Sequence, residues 1–238
     1  MGPGDRATFF VDAHIHLSDP DYSSMVESLI AESRSNGVVA MAASSVDFET
    51  SLLSIDLGEK YTGLVYPTVG IHPWNVKEVT ESEVEATERL MSGRVVGVGE
   101  VGMDGSYGSD FGRQEAIFRR MLALAEKTAL PVVVHSRDAV QRILEITASY
   151  RLRSVLFHWY SGPLDILGEL LDAGYLISAT PAAEFSKDHR AALIEAPVEQ
   201  ILIETDSPVS YGERPSEPAD LTRTMKALSE LKVISEEE

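Results

Sequence analysis

Eight short β-branched runs that stop at turn residues recur along the chain, at 8–11, 38–42, 64–69, 95–98, 132–134, 155–157, 176–177 and 201–203. Helical apolar spacing fills the intervals, as in Met25, Val26, Leu29 and Ile30, in Ile117, Phe118, Met121, Leu122 and Ala125, and in Val140, Ile143, Leu144 and Thr147. Strands that alternate with helices cannot pair as hairpins and imply a parallel sheet. Eight such units within 238 residues fit one (β/α)8 barrel, the TIM architecture, better than an open doubly wound sheet. No strand is followed by G-x-G-x-x-G, and Gly97 and Gly99 lie within a strand-like run, so a dinucleotide-binding fold is disfavoured. Gly37 and Gly174 sit where helices should stop, and Asp138 stands where an N-cap is expected before Ala139 and Val140. With no linker in sight, residues 1–238 read as a single domain. The acidic stretches at 78–88 and 236–238 read as outer, solvated faces.

Composition narrows the chemistry. A hydrophobic fraction of 44% with 24% charged residues is that of a globular chain with a sizeable core. Twenty Lys and Arg against 38 Asp and Glu leave a net charge of −18, which opposes docking on nucleic acid or anionic lipid through bulk charge. A site for a polyanion must therefore be local. The absence of cysteine excludes disulfides, thiolate catalysis and Cys-based zinc sites. No apolar run is long enough to span a membrane, and the first ten residues lack the pattern of a secretory leader. The expectation is a cytoplasmic protein with no membrane association and no obligate protein partner.

Position, more than residue type, points to a site. In Asp12-Ala13-His14-Ile15-His16 two histidines with one residue between them follow the first strand and share a face. The fourth strand leads into Glu100, the fifth into His135, the sixth into His158 and the eighth into Glu204-Thr205-Asp206. In a barrel these carboxyl ends meet at one mouth, where the active site lies. Five of the six histidines (His14, His16, His72, His135 and His158) fall there, whereas His189 lies in a helix and reads as a surface residue. His14, His16, Glu100, His135, His158 and Asp206 exceed what one closed tetrahedral zinc needs and suit two divalent ions with open positions. Glu100 is the best bridge and Asp206 the best base, because a carboxylate at the last strand end can touch an ion and accept a proton from the attacking water. Glu204 shares the face of Asp206 as either an acceptor behind a ligand or a buried acid paired with a base. His72 in Gly70-Ile71-His72-Pro73-Trp74 reads either as a donor to an anionic oxygen or as a packed loop histidine. Arg137 reads as a bidentate contact to phosphate or as a salt bridge.

The succession Asp12-Ala13-His14-Ile15-His16, Gly70-Ile71-His72-Pro73, Gly99-Glu100-Val101-Gly102-Met103-Asp104, His135-Ser136-Arg137-Asp138-Ala139, His158-Trp159-Tyr160-Ser161-Gly162 and Glu204-Thr205-Asp206-Ser207-Pro208 resembles the TatD-like deoxyribonucleases of the metal-dependent amidohydrolase superfamily. The resemblance runs from Val11 to about Pro218. It implies a hydrolase of DNA phosphodiester bonds, often acting from the 3′ end. It also implies one ion on His14, His16, Glu100 and Asp206 and a second on Glu100, His135 and His158. Glu100 stands where many superfamily relatives carry a modified lysine. Arg214-Pro215-Ser216-Glu217-Pro218 departs from the family's Arg-Asn-x-Pro-like stretch, with Arg214 in the position of a substrate contact. The usual Asn-Ala pair of a last helix is not present before Glu238, as expected of either a short closing helix or an incomplete chain.

The leading functional expectation is a metal-dependent phosphodiesterase or exodeoxyribonuclease that takes DNA 3′ ends, with two divalent ions (Mg, Mn, Zn or Fe), Asp206 as base, and His72 and Arg137 on the phosphate. The alternative is hydrolysis of a small amide, ester, lactone or phosphoester by the same activated water. A metal-bound barrel that serves only as an interaction module ranks third, since the ligand set and a base are both present.

Overall fold

The computed structural model describes residues 9–91, 93–107, 110–212 and 214–235. Eight parallel strands stand in sequence order: β1 (Phe10–Ile15), β2 (Val38–Ala43), β3 (Val65–Val69), β4 (Gly97–Gly102), β5 (Val132–His135), β6 (Val155–Phe157), β7 (Leu176–Ala179) and β8 (Ile201–Ile203). Helices α1 (Val26–Ser35), α2 (Phe48–Lys60), α3 (Glu81–Arg89), α4 (Phe111–Thr128), α5 (Val140–Thr147), α6 (Leu164–Asp172), α7 (Lys187–Glu195) and α8 (Leu221–Lys232) follow the strands in turn. The register runs through pairs such as Met41 with Val65, Gly102 with His135 and Ile177 with Ile201. Val98, Val101, Phe118, Met121, Leu122, Ile143, Phe157, Leu170 and Leu193 form the larger part of the core. Phe10, Ile15, Ile30, Met41, Val65 and Leu221 form a second cluster beside β1 and β2.

The sheet closes through the residues that follow β8. Asp206 N donates to His14 O at 3.0 Å, and His16 N donates to Ser207 O at 2.9 Å. Asp12, fully buried, ties the seam from inside. Its Oδ1 accepts from Thr205 N (3.1 Å) and His14 N (3.2 Å), and its Oδ2 accepts from Thr205 Oγ1 (2.6 Å). Burial lifts the Asp12 carboxyl to about 7, against the lowering effect of those bonds.

The strand runs at 155–157 and 201–203 are found as expected, β2, β3, β5 and β7 differ from the expected runs by one or two residues at an end, and β1 and β4 differ by more. β1 occupies Phe10–Ile15 and so carries Asp12 and His14 within the strand, their side chains paired with Thr205 after β8 and Ser44 after β2; residue 8 lies outside the described residues. β4 begins at Gly97 and extends to Gly102, with Glu100 inside it and every residue buried. Gly37 and Gly174 do turn the chain after helices, with φ of 84° and 79°. Asp138 does not cap α5. The N-cap is Ala139, without a side-chain bond, and Asp138 takes a left-handed φ of 52° in the preceding turn. The acidic segment at 78–88 contributes to α3, whose capping box pairs Thr80 with Glu83; residues 236–238 lie outside the described residues.

His189 corrects the surface reading. It is fully buried on α7, where Nδ1 donates to Tyr160 O at 2.8 Å and Nε2 accepts from Thr180 N at 3.2 Å. Burial holds it below the usual histidine range, so it is a neutral core residue that joins the segments after β6 and β7.

Replacing Asp12 by alanine removes the acceptor for three buried donors and should lower stability by about 2–4 kcal/mol. Asp12→Asn keeps an oxygen for the two backbone amides and should lose distinctly less. Urea unfolding of both variants measures the difference, and equal midpoints would remove the seam role.

Candidate active site

Every strand end but those of β2 and β7 delivers a titratable group to the barrel mouth. His14 lies within β1 and His16 just beyond it, His72 follows β3, Glu100 lies in β4, His135 ends β5, His158 follows β6, and Glu204 and Asp206 follow β8. The glycines around Glu100 let the backbones converge. A Cβ at Gly70 would lie 2.8 Å from Glu100 O, and one at Gly102, where φ is 147°, would lie 2.0 Å from His135 O. The Glu100 amide donates to Ser45 O at 2.7 Å, which fixes the residue from the end of β2.

Glu100 is the hub, and its two oxygens face different groups. Oε1 lies 2.8 Å from His158 Nε2, 2.9 Å from His135 Nδ1 and 3.2 Å from His72 Nε2. Oε2 lies 3.2 Å from His16 Nε2 and 3.4 Å from His14 Nε2. Asp206 Oδ1 joins the second set, 3.2 Å from His14 Nε2 and 3.4 Å from His16 Nε2. Three compact triads of ligand-type atoms result among the described residues: His14–His16–Asp206, His14–Glu100–His158 and His72–Glu100–His135.

The opposite ring nitrogens are held from behind. His14 Nδ1 pairs with Ser44 Oγ at 3.0 Å, His158 Nδ1 with Glu204 Oε1 at 3.2 Å, and His135 Nε2 with Asp104 Oδ2 at 2.9 Å. Imidazoles oriented in this way present one fixed nitrogen to the centre, the usual arrangement behind a metal ligand. His72 differs. Its Nδ1 accepts from Trp74 N at 3.2 Å, so its proton resides on Nε2, which faces Glu100 as a donor rather than as a lone pair.

Charge in the cluster is mutual. Burial alone would protonate Glu100, but His158 and the other imidazoles outweigh it and hold the carboxyl well below the usual range. Asp206 is likewise lowered, burial being overcome by His14 and His16. Burial opposes a charge on His16, yet its bonds to Asp206 and Glu100 raise it to about 10. Burial similarly opposes charge on His14 and His158, and their carboxylate partners raise both. Only His72 is lowered, to about 4, by burial. The donor set is thus two ionised carboxylates among imidazoles that exchange protons with whatever cation enters. Mixed imidazole and carboxylate donors with nitrogens already oriented fit divalent metal.

The six residues expected to hold metal all converge here, and His72 converges with them. Arg137 does not enter the cluster. It is exposed just beyond β5, and no ion pair engages it among the described residues. Arg214 is half-exposed outside the cluster, with Nη2 2.6 Å from Asp220 Oδ1. Glu204 takes the first of its two expected roles, as the acceptor behind His158. The sequence reading gave no part to Asp104, Ser44 or Trp74. Asp104 Oδ2 accepts from Trp74 Nε1 at 2.9 Å as well as facing His135. The strand alternation that carries Glu100 through Gly102 to Asp104 was the available signal for it.

An imidazole–carboxylate cluster at the carboxyl ends of a closed parallel barrel defines a barrel protein with a metal-competent centre. The chain matches the family described as TatD related DNase over residues 11–238. It belongs to that family and is a metal-dependent hydrolase. An uncharacterized metal-dependent hydrolase of Methanocaldococcus jannaschii is 29% identical over 98% of this chain and 93% of its own length. The human deoxyribonuclease TATDN3 is 29% identical over 96% of this chain and 89% of its own. A 3′-5′ ssDNA/RNA exonuclease TatD of Edwardsiella piscicida is 30% identical over 83% of this chain and 79% of its own. The crystal structure of YJJV, a TatD homologue of Escherichia coli, superposes with a TM-score of 0.88 at 25% identity, covering 96% of this chain and 92% of that one. No helix of the described residues is long and apolar enough to cross a membrane.

Because the raised histidines bind protons in the range where metal must displace them, metal affinity should rise as pH rises from 6 to 9. Calorimetric titration with Zn2+ or Mn2+ in buffers of different ionisation enthalpy should show release of about one proton or more per ion at pH 7. Proton-neutral binding of constant affinity would contradict this electrostatic picture.

Proposed function

We propose that the protein is a two-metal phosphodiesterase that removes nucleotides from the ends of single-stranded DNA, with cleavage from the 3′ end. The observation that carries the reading is the division of Glu100, one oxygen toward His14 and His16 and the other toward His135 and His158. This supports one cation on His14, His16, Glu100 and Asp206, and a second on Glu100, His135 and His158. The donors suit Mg, Mn, Zn or Fe. The names of the human and Edwardsiella relatives support nucleic acid as the substrate class.

Bound divalent cations would supply a lowered pKa for an attacking water and neutralise charge on the phosphate. The remaining work falls to the chain. Asp206, held ionised at the eighth strand end, accepts the proton of the attacking water. His72 is neutral with its proton on Nε2, which faces Glu100 Oε1 at 3.2 Å in the free centre and would turn to a phosphoryl oxygen once Glu100 holds cations. Arg137, exposed beyond His135, offers a planar fork to the phosphate from the solvent side. His135 and His158 keep their orientation through Asp104 and Glu204. A net charge of −18 opposes holding a duplex through bulk charge, which favours a strand end threaded to the centre.

End-labelled single-stranded DNA incubated with the purified protein and a panel of divalent metals tests the reading. Stepwise shortening from the 3′ end that EDTA abolishes is expected, with a loss of at least about a hundredfold in Asp206→Asn at retained metal content. Protein that carries two ions yet shortens no strand would move the assignment to a small amide, ester, lactone or phosphoester. Arg137→Ala should raise KM for oligonucleotides by about tenfold with little change in kcat. An unchanged KM would remove Arg137 from the phosphate.

A further inference from the structure

Two aromatic residues with no part in the cluster stand beside it. Trp159 directly follows His158, and Tyr211 lies in the loop after Asp206; their ring centroids are 5.1 Å apart with planes tilted by 50°. Both side chains are only partly buried. Their neighbour Tyr160 behaves differently: it is 1% exposed, and its hydroxyl donates to Pro163 O at 2.6 Å as an ordinary core residue. Trp159 adopts a left-handed φ of 43°, a conformation a bulky residue rarely takes. Its amide is anchored by donation to Ser178 Oγ at 2.9 Å. The indole thus stands next to the ligand-type residue His158 on a backbone held by that bond.

Tyr211 is placed just as firmly. Its ring is only partly covered, but its hydroxyl is buried. The phenol thus points its hydroxyl inward and leaves part of its ring at the surface beside Trp159. The rings are tilted rather than stacked face to face, and both keep part of their surface exposed.

We infer that Trp159 and Tyr211 form a stacking platform for a nucleobase next to the scissile phosphate of a single strand, an inference that rests on the phosphodiester reading of the site. Stacking suits this protein on physical grounds. A groove of cations that tracks phosphates is the common device for holding a strand, and a chain of net charge −18 is ill suited to it. A base is neutral, so its contact with an aromatic face is neither opposed by that field nor strongly screened by salt. Every base has such a face, so the platform accepts strands of any sequence.

The test uses single strands identical except for an abasic tetrahydrofuran residue at the last or the next-to-last position. The wild-type metal-loaded protein should cut one of the two abasic strands with a KM about tenfold above that of the base-bearing strand, with similar kcat. In Trp159→Leu that penalty should shrink to about twofold or less, because the base-bearing strand falls to the level of the abasic one. Tyr211→Phe, which keeps the ring, should retain the preference, whereas Tyr211→Leu should weaken it. A readout without turnover runs in parallel. A phosphorothioate strand should quench the tryptophan emission of the wild type and lose most of that effect in Trp159→Leu. Strands cut with equal KM whether or not they carry a base, or a tenfold preference that survives in Trp159→Leu, would overturn the platform while leaving the nuclease intact. No cleavage of any strand would overturn the phosphodiester reading and the platform with it.

Discussion

A buried carboxylate shared between two sets of imidazoles organises this molecule. Glu100 is 2% exposed, and removing a carboxylate from water on that scale is unfavourable by several kcal/mol unless partners compensate. Five imidazoles from four strand ends do so, and each must reach Glu100 through the barrel interior. The closure of β1 against the segment after β8, the glycines that let β4 approach its neighbours, and the carboxylates behind His135 and His158 all follow from that demand. Asp206 completes the set because the seam that closes the sheet is the same seam that carries it: its amide bonds to His14 O while its carboxylate faces the His14 ring.

The site is therefore a set of compensating charges in which no member is stable in its place alone. His16 raised to about 10 and His72 lowered to about 4 lie on the same carboxylate and differ in their surroundings: His16 also faces Asp206, and His72 is held by the Trp74 amide. That contrast separates a residue suited to exchange its proton for a cation from one suited to donate a hydrogen bond. It gives chemically distinct roles to two histidines that look alike in the sequence.

Much of this is legible in the amino-acid sequence. Runs such as 155–157 and 201–203 are apolar and bounded, so their strands are found where they were read, and the metal-competent residues stand at strand ends because a barrel gathers those ends. The reading of β4 stopped short of Glu100 because glycine and glutamate look like strand breakers, while here the glycines allow close approach and the carboxylate is neutralised by imidazoles far away in sequence. His189 was misplaced for a related reason: its partners Tyr160 and Thr180 come from other units of the barrel, and nothing local announces them. Asp138 has the residue type of a cap, but its left-handed turn places it outside the helix it precedes. Periodicity reports which face of an element is buried; it does not report which polar group waits there.

The proposed two-cation centre turns on Glu100, whose two oxygens would each face one ion. Anomalous diffraction from crystals grown with Mn2+ or Zn2+ measures it directly. The account predicts two peaks about 3.5–4 Å apart on either side of the Glu100 carboxylate, one beside His14, His16 and Asp206 and the other beside His135 and His158. A single peak under saturating metal, or two peaks that do not share Glu100, would contradict it.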